Sequence, residues 1–476
     1  FRLSTRQRRI IQAATALTFI SIIYLVFSIP SEKPKKYWRI RVRDNLTPNI
    51  PEESEESPEI VDIVLNHSNP AIIDAIHIAC DDAFANAGTT IAYLKRFAFD
   101  RESLQSLIAT SSDRCRTYLS SFGFAKSEPS QEEKEFPLAY AVVAHGSFDQ
   151  LLLVLSSFYE SHNAFCISVP SNADPVFIRL VHTLDDCFEN IHVIDVGEIS
   201  WGSYEIQRAT YGCMQYLVEQ EPVQWRYLQY LSGVDVPLRT NLEMVRIMKE
   251  WKGFSHVHTL PYPEERLGGN VNKTPPVALF KSSLSAIVAR EAAQVMVHHP
   301  KAKELMEFLK PTIVADESFW SSALGNPDVL PVPGAFNVGA FLIEKSEHVN
   351  GTEYPLKNCS HAPCLTSGFV GRYQQWQGRQ PNTTSDNCKG EWTNHSCVFG
   401  VGDLPTLVSN EAFVAHKLYI DFEPAALVCL LKEIKRRRGH PDDRFDAQQY
   451  SHLPQIEYAR GIPLENLSRK DLIGSA

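Results

Sequence analysis

The chain has 476 residues, 44% of them hydrophobic, and a formal net charge of −10 at pH 7. This length and composition allow a large buried core and exclude collagen, coiled coils, wholesale disorder and multi-span membrane proteins. The net negative charge argues against a protein dedicated to nucleic acid, which would normally be basic. Because the chain begins with Phe1 rather than Met, we expect further residues upstream.

The first feature along the chain is an apolar stretch at residues 10–29, which contains no charged residue. Its 20 residues are enough to cross a bilayer as a helix, so we predict one transmembrane anchor after a cytosolic tail of residues 1–9. Basic residues flank both ends, and charge therefore does not decide the orientation. A cleaved signal peptide is the alternative, although its apolar region would be shorter and would end in small residues.

Glycosylation sequons and cysteines indicate which side of the membrane holds the bulk of the chain. Eight Asn-X-Ser/Thr sequons follow the apolar stretch, at Asn45, Asn66, Asn272, Asn350, Asn358, Asn382, Asn394 and Asn466. The ten cysteines include no CxxC pair and are even in number, which favours disulfides over zinc. We therefore expect a single-pass type II protein with a lumenal C-terminal domain.

The order of predicted elements indicates an α/β domain. Residues 30–75 are rich in proline and charge, which is typical of a flexible stem. Helical spacing follows at 71–87 and 89–109. Apolar strands at 138–144, 164–169, 191–196 and 226–231 then alternate with helices at 148–158, 175–187 and 204–218. This alternation predicts a mainly parallel sheet, with ligands at the carboxyl ends of its strands. We expect the domain over 76–435 and a C-terminal tail over 436–476.

Three other regions have a structural interpretation. Residues 340–400 are loop-rich and hold four cysteines and four sequons, so we expect a loop region tied by disulfides. The basic run 435–438 is interpreted as a solvated helix end rather than a nucleic-acid patch. His298 and His299 lack a third nearby metal ligand, which favours a surface or helix-capping role over a metal site.

Three segments carry residues that could do chemistry. Asp235 follows the predicted fourth strand, where its carboxylate could hold a sugar hydroxyl or be an ordinary turn residue. Asp316 and Glu317 open an apolar helix, where a carboxylate is either catalytic or complements the helix dipole. The third segment is CVFGVGDLP at 397–405, followed by HKLYIDF at 416–422. No GxSxG, Walker A, GxGxxG or HExxH motif occurs.

Five segments together resemble one enzyme family. They are LAYAVVAHGSFDQLLLVLSSFY, YLSGVDVPLRTN, PVALFKSSLSAIVARE, ADESFW and CVFGVGDLP, in that order. The chain resembles the core-2/I-branching β-1,6-N-acetylglucosaminyltransferases, a group that also holds protein O-xylosyltransferases. The resemblance spans about residues 140–429, and WGSYEI and CVFGVGDLP are most similar to nematode members. It implies a GT-A-type α/β fold, a UDP-sugar donor and inversion at the anomeric carbon.

The resemblance implies a role for several single residues. Glu317 matches the catalytic glutamate of the family's D-E-x-x-W segment, which deprotonates the acceptor hydroxyl. Lys417 matches the lysine that contacts the leaving diphosphate, and Asp235 positions the sugar. The family uses basic side chains in place of a metal, and no Asp-X-Asp follows a strand here. We therefore expect neither a metal nor another cofactor.

Two positions depart from the family's pattern. The partner arginine expected just before CVFG is absent, since Asn394-His395-Ser396 stand there. A protonated His395 is the candidate substitute for that arginine. After the second strand, relatives carry an aspartate that contacts the nucleotide, whereas this chain has Ser168-Val169-Pro170.

The remaining binding residues are also implied by the resemblance. His145 and Trp201 fall where the family contacts uridine, with an indole packed in the core as the alternative for Trp201. Tyr373 and Trp376 lie near the family's aromatic acceptor platform, with a structural role in the disulfide-tied loops as the alternative. Glu265 belongs to a segment similar to an acceptor-binding segment.

The resemblance further implies a disulfide pattern and a function. The implied pairs are Cys80–Cys429, Cys115–Cys187, Cys166–Cys213 and Cys388–Cys397, which leaves Cys359–Cys364. We expect a Golgi membrane enzyme that transfers N-acetylglucosamine from its UDP conjugate to a glycan or glycoprotein hydroxyl, without nucleic acid as a partner. A transferase of the same fold using UDP-xylose or UDP-glucose, or an inactive lumenal glycan-binding protein, is the alternative.

Overall fold

The computed structural model describes residues 71–126, 128–351, 368–377 and 388–473. The expected cytosolic tail, transmembrane anchor and most of the stem lie outside the described residues, as does the Cys359–Cys364 pair. Among the described helices, none has the length and hydropathy needed to cross a membrane.

The described strands are mostly short. They are β1 (Leu138–Val143), β2 (Ala164–Pro170), β3 (Ile191–Val196), β4 (Tyr227–Ser232), β5 (Val236–Pro237), β6 (Leu260–Pro261), β7 (Phe280–Lys281), β8 (Ile287–Ala289), β9 (Glu391–Thr393), β10 (Ser396–Val398) and β11 (Val414–Ala415).

The described helices surround these strands. They are α1 (Ile72–Ala75), α2 (Cys80–Phe84), α3 (Gly88–Leu94), α4 (Arg101–Thr110), α5 (Arg114–Ser121), α6 (Gln131–Lys134), α7 (Phe148–Phe158), α8 (Pro175–Cys187), α9 (Tyr204–Glu219), α10 (Asn241–Trp251), α11 (Arg290–His298), α12 (Pro300–Leu309), α13 (Phe319–Leu324), α14 (Val338–Gly351), α15 (Leu404–Ser409), α16 (Pro424–Gly439) and α17 (Pro454–Ala459).

A five-stranded sheet of order β3-β2-β1-β4-β8 forms the centre of the domain. Strands β1 to β4 are parallel, with Ala139 opposite Ala164 and Leu138 opposite Tyr227, and β8 runs antiparallel to β4. Every residue of β2 and nearly every residue of β1 and β4 is buried, as expected for parallel strands covered on both faces. The predicted mainly parallel sheet is confirmed, with strand and helix limits within one residue of those predicted for 138–232.

Local sequence explains where the helices between these strands begin. Ser147 starts α7 by accepting a hydrogen bond from the N–H of Gln150. Asp174 starts α8 by accepting from two backbone N–H groups, and Pro175 occupies the first helical position. His299 starts α12 through its Nδ1, which accepts from the N–H of Lys301 at 3.2 Å. The capping role predicted for this histidine pair is therefore confirmed for His299.

Disulfides tie the domain together at four places within the described residues. The pairs are Cys80–Cys429, Cys115–Cys187, Cys166–Cys213 and Cys388–Cys397, the same four that the family resemblance implies. The first joins α2 near the start of the domain to α16 near its end, with 349 residues of sequence separation.

The C-terminal segment is not the polar tail expected from the sequence. Tyr450 is fully buried, and its hydroxyl donates to the carbonyl of Glu411 at 2.9 Å. Trp251 in α10 donates its indole N–H to the carbonyl of Tyr450 at 3.1 Å. Leu453 and Ile456 are also fully buried. The apolar side chains of this segment therefore complete the core beside α10.

The basic end of α16 was expected to be solvated, and this prediction is wrong for two of its arginines. Arg437 pairs with Glu243 at 3.3 Å and Arg438 pairs with Glu160 at 2.8 Å, and both arginine side chains are at least four-fifths covered. Their partners lie on other elements, α10 and the end of α7, so the charges fasten α16 to the domain.

Candidate active site

Glu317 lies in a 3-10 turn at Ala315–Glu317, directly before α13. Its side chain is 22% exposed, and its Oε2 accepts from Nη1 of Arg266 at 2.8 Å and from Nζ of Lys281 at 3.0 Å. Its Oε1 receives no hydrogen bond from the part of the chain that the structure describes. Glu317 lies two residues before the first residue of α13, and no side-chain capping hydrogen bond is present at the start of that helix. One oxygen is held by two cations while the other is open.

The two neighbouring carboxyl groups differ in ionisation. Burial would raise the pKa of Glu317, but Lys281 and Arg266 outweigh burial and hold that pKa below its ordinary value. Burial and the adjacent charge of Glu317 raise the pKa of Asp316 to about 7. Such a separation of two pKa values is typical of acid–base sites, and it leaves Glu317 as the ionised group.

Arg266 and Lys281 are the cations that sequence reasoning missed. Arg266 lies in the 3-10 segment Glu264–Asn270, and Lys281 ends β7. Both lie in segments that resemble the family, EER and PVALFKSS, but a single basic residue in a loop carries no pattern of its own. Glu265 is exposed and forms no ion pair with any described residue.

Asp235 lies in the interior, after β4. Its Oδ2 accepts from Nη2 of Arg372 at 2.7 Å and from the N–H of Ser232 at 2.6 Å, and its Oδ1 lies 2.8 Å from Nδ1 of His416. Burial would raise the pKa of Asp235, yet Arg372 and His416 lower it to about 2. Asp235 is fully buried, so a direct contact with a sugar would require the side chains that cover it to move.

The segment after His416 carries the other expected donor residues. Lys417 is 8% exposed, and its Nζ lies 5.4 Å from the centroid of the Tyr419 ring. Burial lowers the pKa of Lys417, although Glu391 opposes this effect. His395 lies in the exposed turn between β9 and β10, where its carbonyl accepts from the N–H of Gln377 at 2.8 Å.

A pocket of about 380 Å³ opens at the carboxyl ends of β1 and β4. These two strands flank the point where the strand order reverses, the usual ligand position in such sheets. The lining includes His145, Ser147, Ser232, Gly233, Tyr419 and Asp421. His145, a predicted donor contact, is one of the residues that line this pocket. A larger depression of about 620 Å³ between α2 and α16 contains none of the expected site residues.

Trp201 lies in the turn between β3 and α9 and is 84% exposed. The alternative that its indole packs in the core is therefore wrong. The next residue, Gly202, accepts a hydrogen bond through its carbonyl from the N–H of Val314 at 3.0 Å. The exposed indole therefore belongs to a loop that touches the turn carrying Glu317.

The aromatic residues expected at the acceptor have structural contacts. The ring of Tyr373 stacks on Phe399 with centroids 5.4 Å apart, and its hydroxyl accepts from Nε2 of Gln375 at 2.6 Å. Trp376 pairs with Ser396 through an isolated β-bridge. These contacts favour the structural alternative for Tyr373.

Among the described residues, one group has candidate metal-ligand atoms within 4.8 Å of one another, namely Cys388, Cys397 and Asp403. The two cysteines are bonded to each other, so their sulfur atoms are not free thiolates.

Comparison with known proteins identifies one matching family and several similar enzymes. Residues 138–335, which include Asp235 and Glu317, match the family described as Core-2/I-Branching enzyme. The human β-1,3-galactosyl-O-glycosyl-glycoprotein β-1,6-N-acetylglucosaminyltransferase is 26% identical over 346 residues, 68% of this chain and 75% of that protein. The mouse N-acetyllactosaminide β-1,6-N-acetylglucosaminyl-transferase is 24% identical over 346 residues, 68% of this chain and 79% of that protein. Over residues 138–335 the chain is therefore similar to the core-2/I-branching enzymes, and the names of its relatives support a glycosyltransferase.

Proposed function

We propose that this protein transfers N-acetylglucosamine from a UDP conjugate to a glycan hydroxyl, with inversion and without a metal. The observation that carries this proposal is the half-open carboxylate of Glu317, with Oε2 held by Arg266 and Lys281 and Oε1 free to accept a proton. The choice of sugar is supported by relatives named β-1,6-N-acetylglucosaminyltransferases.

Inversion requires a base on the face of the sugar opposite the leaving group. In the proposed step, Oε1 of Glu317 takes the proton of the acceptor hydroxyl. At the same time the acceptor oxygen bonds to the anomeric carbon, and the bond between that carbon and UDP breaks. The lowered pKa of Glu317 keeps it ionised in neutral and mildly acidic compartments. Arg266 and Lys281 also fix the orientation of the carboxylate, so the open oxygen is presented in one direction.

The departing diphosphate gains negative charge, which Lys417 would offset. In this proposal Asp235 positions the sugar and also holds His416, the residue before Lys417, through its contact with Nδ1 of that histidine. His395, when protonated, would add a second positive charge from the β9–β10 turn.

The nucleotide would lie in the pocket between β1 and β4 that His145 lines, with Trp201 available to stack on the base. Glu265, exposed beside Arg266, is a proposed acceptor contact. Trp376 stays a proposed acceptor contact, whereas the packing of Tyr373 on Phe399 favours a structural role for that ring.

The proposed location is the Golgi lumen, with the chain anchored as a type II membrane protein. Eight sequons after the apolar stretch support a lumenal domain. The four described disulfides support an oxidising compartment.

The test is UDP release by the purified chain with UDP-GlcNAc, UDP-xylose or UDP-glucose and a β-1,3-galactosyl O-glycan acceptor, with and without EDTA. We expect signal with UDP-GlcNAc and no effect of EDTA. The variant Glu317→Gln should lose about 10²- to 10⁴-fold in kcat, because the amide cannot take the proton.

Glu304→Gln is the matched control, since Glu304 is a half-exposed glutamate of α12 paired with Lys301. It should retain wild-type activity. Full activity of Glu317→Gln would remove that residue from the mechanism. Silence with every donor, together with binding to a glycan array, would instead support an inactive glycan-binding protein.

A further inference from the structure

Val314, three residues before Glu317, has a left-handed backbone with φ 56° and ψ 54°. This region is unfavourable for L-residues other than glycine, and asparagine and aspartate tolerate it best among the rest. A β-branched residue there is an outlier, which persists only when the surrounding structure holds it. The strain lies immediately before the turn that carries the proposed base.

Two neighbouring loops hold this segment from its N-terminal side. The N–H of Ile313 donates to the carbonyl of Arg266 at 2.9 Å, and the N–H of Val314 donates to the carbonyl of Gly202 at 3.0 Å. Cγ2 of Val314 lies 3.5 Å from the position that a Cβ on Gly202 would take. Packing and hydrogen bonds therefore both resist a change of the Val314 backbone.

Close approach of a third segment supports the same arrangement. The N–H of Gly269 donates to the carbonyl of Pro311 at 3.2 Å. A Cβ on Gly268 would overlap that carbonyl oxygen, so glycine is required for the loop of Arg266 to lie this close. The loop that supplies Arg266 to the Glu317 carboxylate thus also holds the residues before Val314.

Backbone hydrogen bonds connect Val314 to Glu317 and Glu317 to the segment of Lys281. The carbonyl of Val314 accepts from the N–H of Glu317 at 3.1 Å, closing the 3-10 turn. The carbonyl of Glu317 in turn accepts from the N–H of Ser282 at 2.6 Å, next to Lys281. A change in the Val314 backbone would therefore move Glu317 relative to both of its cations.

We propose that Val314 is a positioning residue, whose left-handed backbone sets the Glu317 carboxylate between Arg266 and Lys281 and links it to the Trp201–Gly202 loop. The inference rests on the proposed role of Glu317 as the base. A valine side chain is stiff and packs on Gly202, whereas glycine would let the backbone leave this conformation. The chain thus keeps a strained residue where glycine would fold without strain.

The test compares Val314→Gly with Val314→Asn. Glycine removes both the strain and the restraint, whereas asparagine occupies the left-handed region at lower cost and keeps the turn. With UDP-GlcNAc and a β-1,3-galactosyl O-glycan acceptor, Val314→Gly should lose about 10- to 100-fold in kcat with little change in KM. Val314→Asn should recover most of that loss.

Lys252→Gly is the matched control. Lys252 is an exposed residue with φ 54° that follows α10, so glycine relieves the same kind of strain away from Glu317. Its kcat should be unchanged.

Two further measurements separate positioning from general stability. Hydrogen exchange at the amides of Val314 and Glu317, which needs no acceptor, should be faster in Val314→Gly and unchanged in Lys252→Gly. The acidic limb of the kcat/KM profile should move to higher pH in Val314→Gly, because a looser Glu317 loses part of its pairing with Arg266 and Lys281.

Unchanged exchange, kcat and acidic limb in Val314→Gly would overturn the inference. Equal losses in the glycine and asparagine variants would overturn it too, since the backbone conformation would then not be what matters. If Glu317→Gln is inactive while Val314→Gly is normal, only this inference fails. If Glu317→Gln is fully active, the proposed function fails.

Discussion

Asp235 and Arg372 form an ion pair in the interior, with Oδ2 and Nη2 2.7 Å apart and the two side chains 0% and 4% exposed. The residues are 137 positions apart in the chain. With His416 as its second partner, Asp235 joins the end of β4 to the segments that carry Tyr373 and Lys417. The two contacts of Asp235 thus connect the pocket-lining strand to the segment of Tyr373 through Arg372 and to the segment of Lys417 through His416.

Asp235→Asn should be strongly destabilising, because it leaves the buried charge of Arg372 without a full counter-charge. We expect a loss of about 3–5 kcal/mol in the free energy of unfolding, measured by denaturant titration of the purified chain. Asp195→Asn, at a carboxylate that is 70% exposed, is the control and should change stability little. An Asp235→Asn variant of wild-type stability but with a raised KM for the donor would instead support a direct sugar contact.

Trp201→Ala tests the proposed stacking on the nucleotide base. Removal of the indole should weaken UDP binding about 5- to 100-fold in calorimetry, the usual range for one base–aromatic stack. The melting temperature should not change, since the side chain is 84% exposed. Tyr93→Ala, which removes a half-exposed aromatic ring elsewhere in the chain, should leave UDP affinity as it is. Equal affinity in both variants would exclude the stack.

Asp316 should make stability depend on pH. Its pKa is raised from 3.8 to about 7, so between these values the native chain holds a proton that the unfolded chain has lost. The free energy of unfolding therefore decreases as the pH rises through this window. Asp316→Asn does not titrate, so its melting temperature relative to wild type should increase by about 3 °C from pH 5 to pH 8.

The difference in melting temperature between Asp316→Asn and wild type excludes the pH dependence that other buried groups contribute. Burial lowers the pKa of His256 to about 3 and of His258 to about 4, so both reduce stability as the pH falls below about 6.5. These contributions are present in both proteins and cancel in the difference. A difference that stays constant with pH would show that Asp316 is already ionised at pH 5.

The Cys80–Cys429 disulfide should contribute more to stability than Cys388–Cys397. The first encloses a loop with a sequence separation of 349 residues and the second one of 9 residues. In the loop-entropy description, the longer loop restricts the unfolded chain more. Replacing Cys80 and Cys429 by serine should cost about 2–5 kcal/mol, measured by denaturant titration without reductant. A larger loss from replacing Cys388 and Cys397 would contradict this order.

Sequence reasoning was accurate where the fold follows from local pattern. Strands and helices from Leu138 to Ser232 were predicted within one residue, because the strands are short apolar runs and two of the three helices begin at a capping side chain. It was less accurate at 71–87, where one helical pattern is divided into α1 and α2. It was wrong at 436–476, where a largely polar composition hid the few side chains that the core buries, such as Tyr450.

The amino-acid pattern alone was sufficient for the α/β architecture, and the family resemblance was sufficient for four disulfide pairs. The resemblance also selected Glu317 as the candidate base. The environment of Glu317 depended on the folded chain. Arg266 lies 51 residues before Glu317, and Lys281 belongs to a separate short strand. Local sequence sets the conformation of each segment, but charges from segments distant in the chain meet only after the chain has folded. Electrostatic pairing over such distances in the chain leaves no periodic pattern to detect.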